Sequence, residues 1–199
     1  MTDIQEQFLA AVVKDDAVVT AQLISQGVDI ETRDVRGATA LLLATHHNAI
    51  NVARILIEAG ADVNAMDKIS DSPYLYAGAE GRLDILRMTL EHGADLTSVN
   101  RYGGTALIPA AHHGHIETVK ELLATDTDID HVNFLGWTAL MEAVILGDGG
   151  DTYIEIVRLL VEAGANINIA DRDGVPPLIH ATNSGYSEII EILTAAGAK

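Results

Sequence analysis

Histidine is the residue type in this chain with the most obvious chemical potential, since eight occur among 199 residues. Four of them form two adjacent pairs, His46-His47 and His112-His113, and His115 follows the second pair closely. Imidazole nitrogens are common zinc ligands, and they lie about 2 Å from the ion. Whether these side chains can hold a metal therefore depends on which elements bring them together. Paired histidines also change charge near neutral pH, so a pH-sensitive surface is a second possibility.

Other catalytic chemistry finds little support in the sequence. The chain has no cysteine, which excludes a disulfide framework, a zinc-thiolate site and a cysteine nucleophile. It contains no G-x-S-x-G motif, no P-loop glycine-lysine motif and no H-E-x-x-H motif. We therefore expect no enzymatic activity and no cofactor.

The charge balance restricts the kinds of partner. The 29 acidic residues outnumber the 12 basic ones, and the formal net charge is -17. This sign argues against nucleic acids and anionic lipids, which are bound mainly by basic side chains. It favours a protein partner with a neutral or basic surface, although the acids could simply solvate the outer helices. The N-terminal residues lack a basic region followed by an apolar one, and no apolar run approaches the roughly 20 residues that cross a bilayer. We expect a cytoplasmic monomer.

Internal repetition is the strongest signal in the sequence. One motif recurs as 60-GADVN, 93-GADLT and 164-GANIN, with fainter copies at 27-GVDIE and 126-DTDID. A second motif precedes helical, alanine-rich stretches and recurs as 37-GATAL, 70-SDSPY, 103-GGTAL, 136-GWTAL and 174-GVPPL. Most copies of each motif lie 33 residues apart. A single degenerate copy would mean little, but five in register indicate a repeat protein.

The order of these motifs resembles the ankyrin repeat, whose consensus is D-x-x-G-x-T-P-L-H-x-A-A-x-x-G-H-x-x-I-V-x-L-L-L-x-x-G-A-D-x-N. The resemblance covers essentially the whole chain. It implies an all-α fold, a solenoid of stacked helix-turn-helix units with projecting β-turn loops, because one unit alone cannot bury its apolar faces. The expected units are an N-terminal capping repeat at 1–33, internal repeats at 34–66, 67–99, 100–132 and 133–170, and a C-terminal capping repeat at 171–199.

Hydroxyl residues mark the expected start of each first helix. Thr39, Ser72, Thr105 and Thr138 each precede an apolar stretch and can accept a hydrogen bond from an N–H group of the first helical turn. Pro109 falls inside one of these stretches. We place it in the first turn, where a missing N–H group costs less than in a helix interior.

Two departures from the family pattern have structural consequences. The histidine of the T-P-L-H segment is absent from every copy, so the rigidity between successive loops should depend more on packing. The fifth repeat is longer by five residues, and the extra segment, 148–152, is expected in the turn between its two helices. We interpret this segment as a surface insertion that the fold tolerates. The alternative is a loop that contacts a partner or binds a cation. It offers too few oxygen ligands at the spacing that Ca²⁺ requires.

The resemblance also implies where a protein partner would bind, namely a concave groove made by first helices and turn tips. Some positions on that face are left free by the family pattern. Carried over one by one, they give a candidate partner-binding set: Arg36, His46, His47, Arg101, Tyr102, His112, His113, Phe134, Leu135, Trp137, Ile145 and Leu146. We expect a hot spot around Phe134 and Trp137, because exposed apolar clusters usually mark interaction sites and aromatic residues dominate binding energies. In the alternative interpretation Trp137 lies flat on its neighbour and Ile145 and Leu146 are buried between repeats.

The repeat register weighs against the metal site. Stacking would align His46 with His112, but the repeat between them carries Ala79 at the same position. The distances that zinc needs could not be met across that gap, so we expect no metal site. Two functions remain open: a scaffold or adaptor that binds a client protein in the groove, or a dedicated inhibitor that blocks a basic enzyme. Strong dependence of binding on salt would favour the inhibitor.

Overall fold

A computed structural model describes residues 2–199, and these residues form helices and turns with no β-strand. The all-α prediction is confirmed. The only β-type pairing among them is an isolated antiparallel bridge between Arg33 and Thr39. None of these helices combines the length and the apolar character needed to span a membrane. The twelve helices formed by the described residues are α1 Asp3–Val13, α2 Ala17–Ser25, α3 Ala40–His46, α4 Ile50–Glu58, α5 Pro73–Ala79, α6 Leu83–Glu91, α7 Leu107–His112, α8 Ile116–Leu123, α9 Ala139–Ile145, α10 Asp151–Glu162, α11 Pro177–Ser184 and α12 Ser187–Ala195.

The helices fall into two compact units. Unit 1 contains residues 2–77 and 82–101, and unit 2 contains residues 78–81 and 102–199. Within unit 2, α7, α9 and α11 pack side by side, while α8, α10 and α12 form a second layer against them. Within unit 1, α1 packs on α3, and α2, α4 and α6 follow one another in the same way. The layers bury mainly Leu, Ile, Val and Ala, as the low aromatic content of the sequence requires.

A turn precedes each first helix from α3 onwards, and the side chains of Asp34, Asp67, Asn133 and Asp171 accept backbone hydrogen bonds within the turns that they begin. In unit 2, Asn133 Oδ1 accepts hydrogen bonds from the N–H groups of Leu135 at 2.9 Å and Trp137 at 3.1 Å. In unit 1, Asp34 Oδ1 accepts from Arg36 at 2.8 Å and Ala38 at 3.0 Å. An acceptor oxygen on the first side chain of the turn therefore stabilises the turn, whether that oxygen belongs to an amide or to a carboxylate.

Successive turns within a unit are joined by hydrogen bonds as well as by packing. In unit 1 the Lys68 N–H donates to the Arg36 carbonyl at 3.2 Å, and Lys68 Nζ donates to the Val35 carbonyl at 2.9 Å. In unit 2 the Phe134 N–H donates to the Tyr102 carbonyl at 2.9 Å. Packing is therefore not the only source of loop rigidity, because backbone and lysine donors at the turn tips also join successive turns.

Hydroxyl caps begin three of the four helices for which the sequence predicted them. Thr39 and Thr138 accept from the N–H groups three residues later, each at 3.2 Å, and Ser72 does the same at 3.2 Å. The prediction is wrong for Thr105, whose buried hydroxyl has no hydrogen-bond partner among the described residues. The reason is Pro109, which has no N–H to donate to the Thr105 carbonyl, so α7 begins later, at Leu107, within whose first turn the proline lies as expected.

This difference predicts opposite effects of the same substitution. Thr138→Val removes a cap and should lower the free energy of unfolding by about 1 kcal/mol. Thr105→Val removes a buried hydroxyl that caps no helix, so it should leave the free energy of unfolding unchanged or raise it. Urea denaturation of the two variants beside the unmodified chain measures both values. A loss in Thr105→Val as large as in Thr138→Val would show that the Thr105 hydroxyl is bonded after all.

The inserted segment 148–152 is only partly a loop. Helix α10 begins at Asp151, with Gly150 at its N-cap, and extends for 12 residues, whereas α4 and α6 each have 9. The last two inserted residues therefore form part of an additional helical turn. The expectation that 148–152 lies in the turn between the two helices therefore holds for residues 148–150 but not for Asp151 and Thr152.

Candidate functional site

The twelve candidate partner-binding residues are divided between the two units. Arg36, His46, His47 and Arg101 belong to unit 1, and the other eight belong to unit 2. The unit 1 cations are paired, since Arg36 lies 3.3 Å from Asp34 and Arg101 lies 3.3 Å from Asp71. The His46 ring packs edge-on against Tyr76, with 4.3 Å between ring centroids, and His47 is exposed.

Three large apolar side chains stand exposed on neighbouring turns of unit 2. Tyr102 is 57% exposed, Phe134 64% and Leu135 50%. We call these three residues the tip cluster. The Phe134 ring lies over Gly103, where a Cβ atom added to the glycine would sit 2.5 Å from ring carbon Cδ1. The backbone bond from Phe134 to Tyr102 holds the two turns together. The backbones of Tyr102 and Phe134 are therefore held together, while the outer faces of their aromatic rings remain exposed to solvent.

The other apolar candidates do not join the tip cluster directly. Trp137 ends the same turn and is half-buried. Ile145 and Leu146 lie at the far end of α9, about 10 Å along a helix of seven residues. Ile145 is half-buried and Leu146 is 40% exposed. The single hot spot expected from the sequence thus separates into an exposed group at the turn and a partly covered group at the end of the helix.

A buried carboxylate that the sequence analysis did not single out lies behind the tip cluster. Glu142 of α9 is only 6% exposed. Its Oε1 accepts a hydrogen bond of 2.7 Å from Asn133 Nδ2, and its Oε2 lies 3.6 Å from His112 Nδ1. Asn133 also accepts the backbone hydrogen bonds that stabilise the turn that carries Phe134 and Leu135. Glu142 therefore lies between the turn, to which its hydrogen bond with Asn133 connects it, and His112 of α7.

Burial moves the pKa values of this pair towards each other. Burial raises the pKa of Glu142, while the hydrogen bond from Asn133 and the charge of His113 act in the opposite direction. Burial lowers the pKa of His112, and the neighbouring His113 lowers it further. The His113 ring itself faces the Ala79 carbonyl at 2.7 Å. Among residues 2–199, no three His, Asp or Glu side chains form a group that could hold a metal ion.

Comparison with known proteins identifies the repeat. A family model for ankyrin repeats in three copies matches residues 7–100 and again residues 75–171, and a second model for ankyrin repeats in many copies matches residues 150–194. The chain belongs to the ankyrin repeat family. Ankyrin repeats generally mediate protein–protein interaction and typically have no enzymatic activity.

Several solved ankyrin repeat structures resemble this chain over nearly its full length. An ankyrin repeat domain from Acinetobacter baumannii is 59% identical, with a TM-score of 0.94, and the match covers 96% of this chain and 98% of that one. Another ankyrin repeat protein is 44% identical, with a TM-score of 0.92 and 98% of both chains covered. The ankyrin repeat domain of Bcl-3, a member of the IkappaB family, is 28% identical, with a TM-score of 0.87, and the match covers 97% of this chain and 86% of that domain. The ankyrin repeat protein YahD of Escherichia coli K12 is 46% identical over 57 residues, which span 29% of this chain and 28% of YahD.

Two positions of the ankyrin consensus explain why Glu142 and Asn133 were missed. Asn133 replaces the aspartate that opens the consensus with another acceptor, and Glu142 occupies the variable position after T-P-L-H, so neither residue stands out as part of a site. The last ankyrin repeat pairs the same two positions, since His180 Nε2 lies 2.8 Å from Asp171 Oδ2. A charge inside the otherwise apolar segment A-L-M-E-A-V-I was the available signal.

Proposed function

We propose that this chain is a protein–protein interaction module, an adaptor whose contact surface is centred on the tip cluster in unit 2. The observation that carries the proposal is the exposure of Tyr102, Phe134 and Leu135, each by half or more, at positions that the ankyrin pattern leaves free. Exposed apolar groups of this kind usually mark interaction sites, and tyrosine in particular supplies much of the binding energy where it is present. The remaining candidate residues of unit 2 extend this surface along its first helices.

The distribution of charge supports a neutral, apolar contact. The turn segments 33–38, 66–71, 99–104, 132–137 and 170–175 together carry five acids and five bases, so their net charge is zero. The remaining residues carry the other 24 acids and 7 bases, and hence the whole net charge of -17. An inhibitor of a basic enzyme would be expected to place its acids at the contact surface. The charge pattern therefore favours an adaptor over the inhibitor alternative. We further propose that the chain acts as a cytoplasmic monomer without a cofactor.

A paired set of variants tests the contact surface. Phe134→Ala with Leu135→Ala removes two exposed apolar side chains, and we leave Trp137 in place because it is half-buried and supports the fold. Val35→Ala with Ile69→Ala is the matched control, since these residues occupy the corresponding turn positions in unit 1 and are 84% and 51% exposed. Each chain is immobilised and used to capture proteins from a lysate of the native host.

We expect a partner that is retained by the unmodified chain and by the control variant, and lost by the Phe134/Leu135 variant. Far-UV circular dichroism should show the same helical content for all three chains. Retention should change little with salt, because the contact is apolar. A partner that the Phe134/Leu135 variant retains fully would show that the contact lies elsewhere, and retention that collapses with salt would favour the inhibitor function.

A further inference from the structure

The turn that carries Phe134 and Leu135 of the tip cluster is connected to a carboxylate buried among the first helices of unit 2. Asn133 uses both ends of its side-chain amide: Oδ1 accepts from the turn N–H groups of Leu135 and Trp137, and Nδ2 donates to Glu142 at 2.7 Å. The orientation of the amide therefore depends on what Glu142 offers as an acceptor. Phe134 and Leu135 stand on the turn that this amide closes.

We propose that Glu142 is a positioning residue for the partner-binding turn, and that proton exchange at the Glu142–His112 pair controls the conformation of that turn. This inference rests on the proposed function, since it assigns regulation to the same surface. An ionised Glu142 makes a charge-assisted hydrogen bond to Asn133, which is about twice as strong as a bond between neutral groups. A protonated Glu142 makes only the neutral bond and can donate its proton towards His112 instead. Protonation therefore loosens the support of Asn133 and of the turn.

Few other charged groups act on the pair. From α7, His112 lies 3.6 Å from Glu142, and His113 also contributes its charge. From α11, the one titratable side chain is His180, which bonds Asp171 instead. From α10, Tyr153 donates its hydroxyl hydrogen to the His112 carbonyl at 2.8 Å. The charged side chains of α10 are Glu155 and Arg158, which pair with each other, and Asp151 and Glu162, which are exposed.

The two pKa shifts have opposite effects on stability, so global unfolding reports poorly on this pair. The raised pKa of Glu142 means that the folded chain holds that proton more tightly than the unfolded chain, which adds stability as the pH falls through the folded-state value. The lowered pKa of His112 means the reverse, and stability is lost as the pH falls below the ordinary histidine value. A local measurement is needed.

Trp137 is a local probe of the turn, because it is the single tryptophan of the chain and its backbone N–H donates to Asn133 Oδ1. We would follow Trp137 emission and the amide shifts of Leu135 and Trp137 from about pH 8 to about pH 4, a range that brackets the ordinary glutamate and histidine values. The unmodified chain should show a transition with a midpoint above about pH 4.3, the ordinary value for glutamate. Glu142→Gln keeps an acceptor for Asn133 but cannot titrate, so the transition should disappear.

Two further variants complete the experiment. His112→Gln removes the imidazole that lies 3.6 Å from the carboxylate and that stabilises its ionised form when protonated, so the midpoint should move to higher pH. His180→Gln is the matched control from the equivalent pair in the last repeat, and it should leave the Trp137 transition unchanged. A transition that persists in Glu142→Gln, or a midpoint that His112→Gln leaves in place, would overturn the proposal. Because no partner is needed, this result is independent of whether the tip cluster binds one.

Discussion

Replacing Gly103 by alanine should lower the free energy of unfolding by about 3 kcal/mol, although the change adds a single methyl group. Gly103 has φ 74°, in the left-handed region, where an L-residue costs roughly 1–2 kcal/mol. The new Cβ atom would also lie 2.5 Å from Cδ1 and 2.6 Å from Cε1 of Phe134. The ring must therefore move, and overpacking of this kind costs about 1–3 kcal/mol. Urea denaturation would measure the loss.

Gly174 provides the matched control for Gly103. It occupies the same turn position in the last repeat, with φ 78°, but a Cβ atom built on it would meet nothing within 4 Å. Gly174→Ala should therefore show only the backbone cost of roughly 1–2 kcal/mol. The difference between the two variants isolates the contact between Phe134 and the preceding turn. Equal losses would mean that the ring swings away freely and that its position on the turn is not fixed.

Most of the fold could be predicted from the sequence because each repeat encodes its own local structure. The turn glycine, the hydroxyl cap and the glycine after the second helix each specify a backbone conformation within a few residues. Thr105 shows the limit of such local reasoning, because Pro109 four residues later removes the donor that would have completed the helix start. The Ile108 N–H donates to the Thr105 carbonyl instead of to its hydroxyl, so a cap motif predicts a cap only when the following residues let the helix begin at the expected position.

The candidate site could be predicted only in part, because its geometry depends on contacts between repeats. Some free positions of the ankyrin pattern carry side chains that the structure exposes, such as Tyr102 and Phe134. The pattern could not show that neighbouring side chains partly cover Trp137 and Ile145. Nor could it show that Glu142 reaches Asn133 nine positions earlier in the chain and His112 in the preceding repeat. The spacing of apolar residues predicts which face of a helix is buried. It does not predict which side chains of neighbouring repeats come into contact.

The inserted segment 148–152 is also shaped by contacts between repeats, which here are made by tyrosine side chains. Tyr186 donates its hydroxyl hydrogen to the Gly147 carbonyl at 2.9 Å, and its ring lies against Gly149, where a Cβ atom would be 2.3 Å from ring carbon Cδ1. In the preceding repeat, Tyr153 bonds the His112 carbonyl at 2.8 Å in the same manner. The loop before α10 is therefore held by the repeat that follows it.

Tyr186→Ala should accordingly lower the free energy of unfolding by about 3 kcal/mol, at the lower end of the cost of removing a buried aromatic ring because Tyr186 is half-buried. Tyr186→Phe keeps the ring against Gly149 and loses only the bond to Gly147, so it should cost about 1 kcal/mol. Amide hydrogen exchange at Tyr153 and Ile154, whose N–H groups donate to the Gly150 carbonyl, should accelerate strongly in the alanine variant and little in the phenylalanine variant. If both variants exchange at the rate of the unmodified chain, the additional turn of α10 is stable without Tyr186, and the insertion is an independent decoration as its composition indicated.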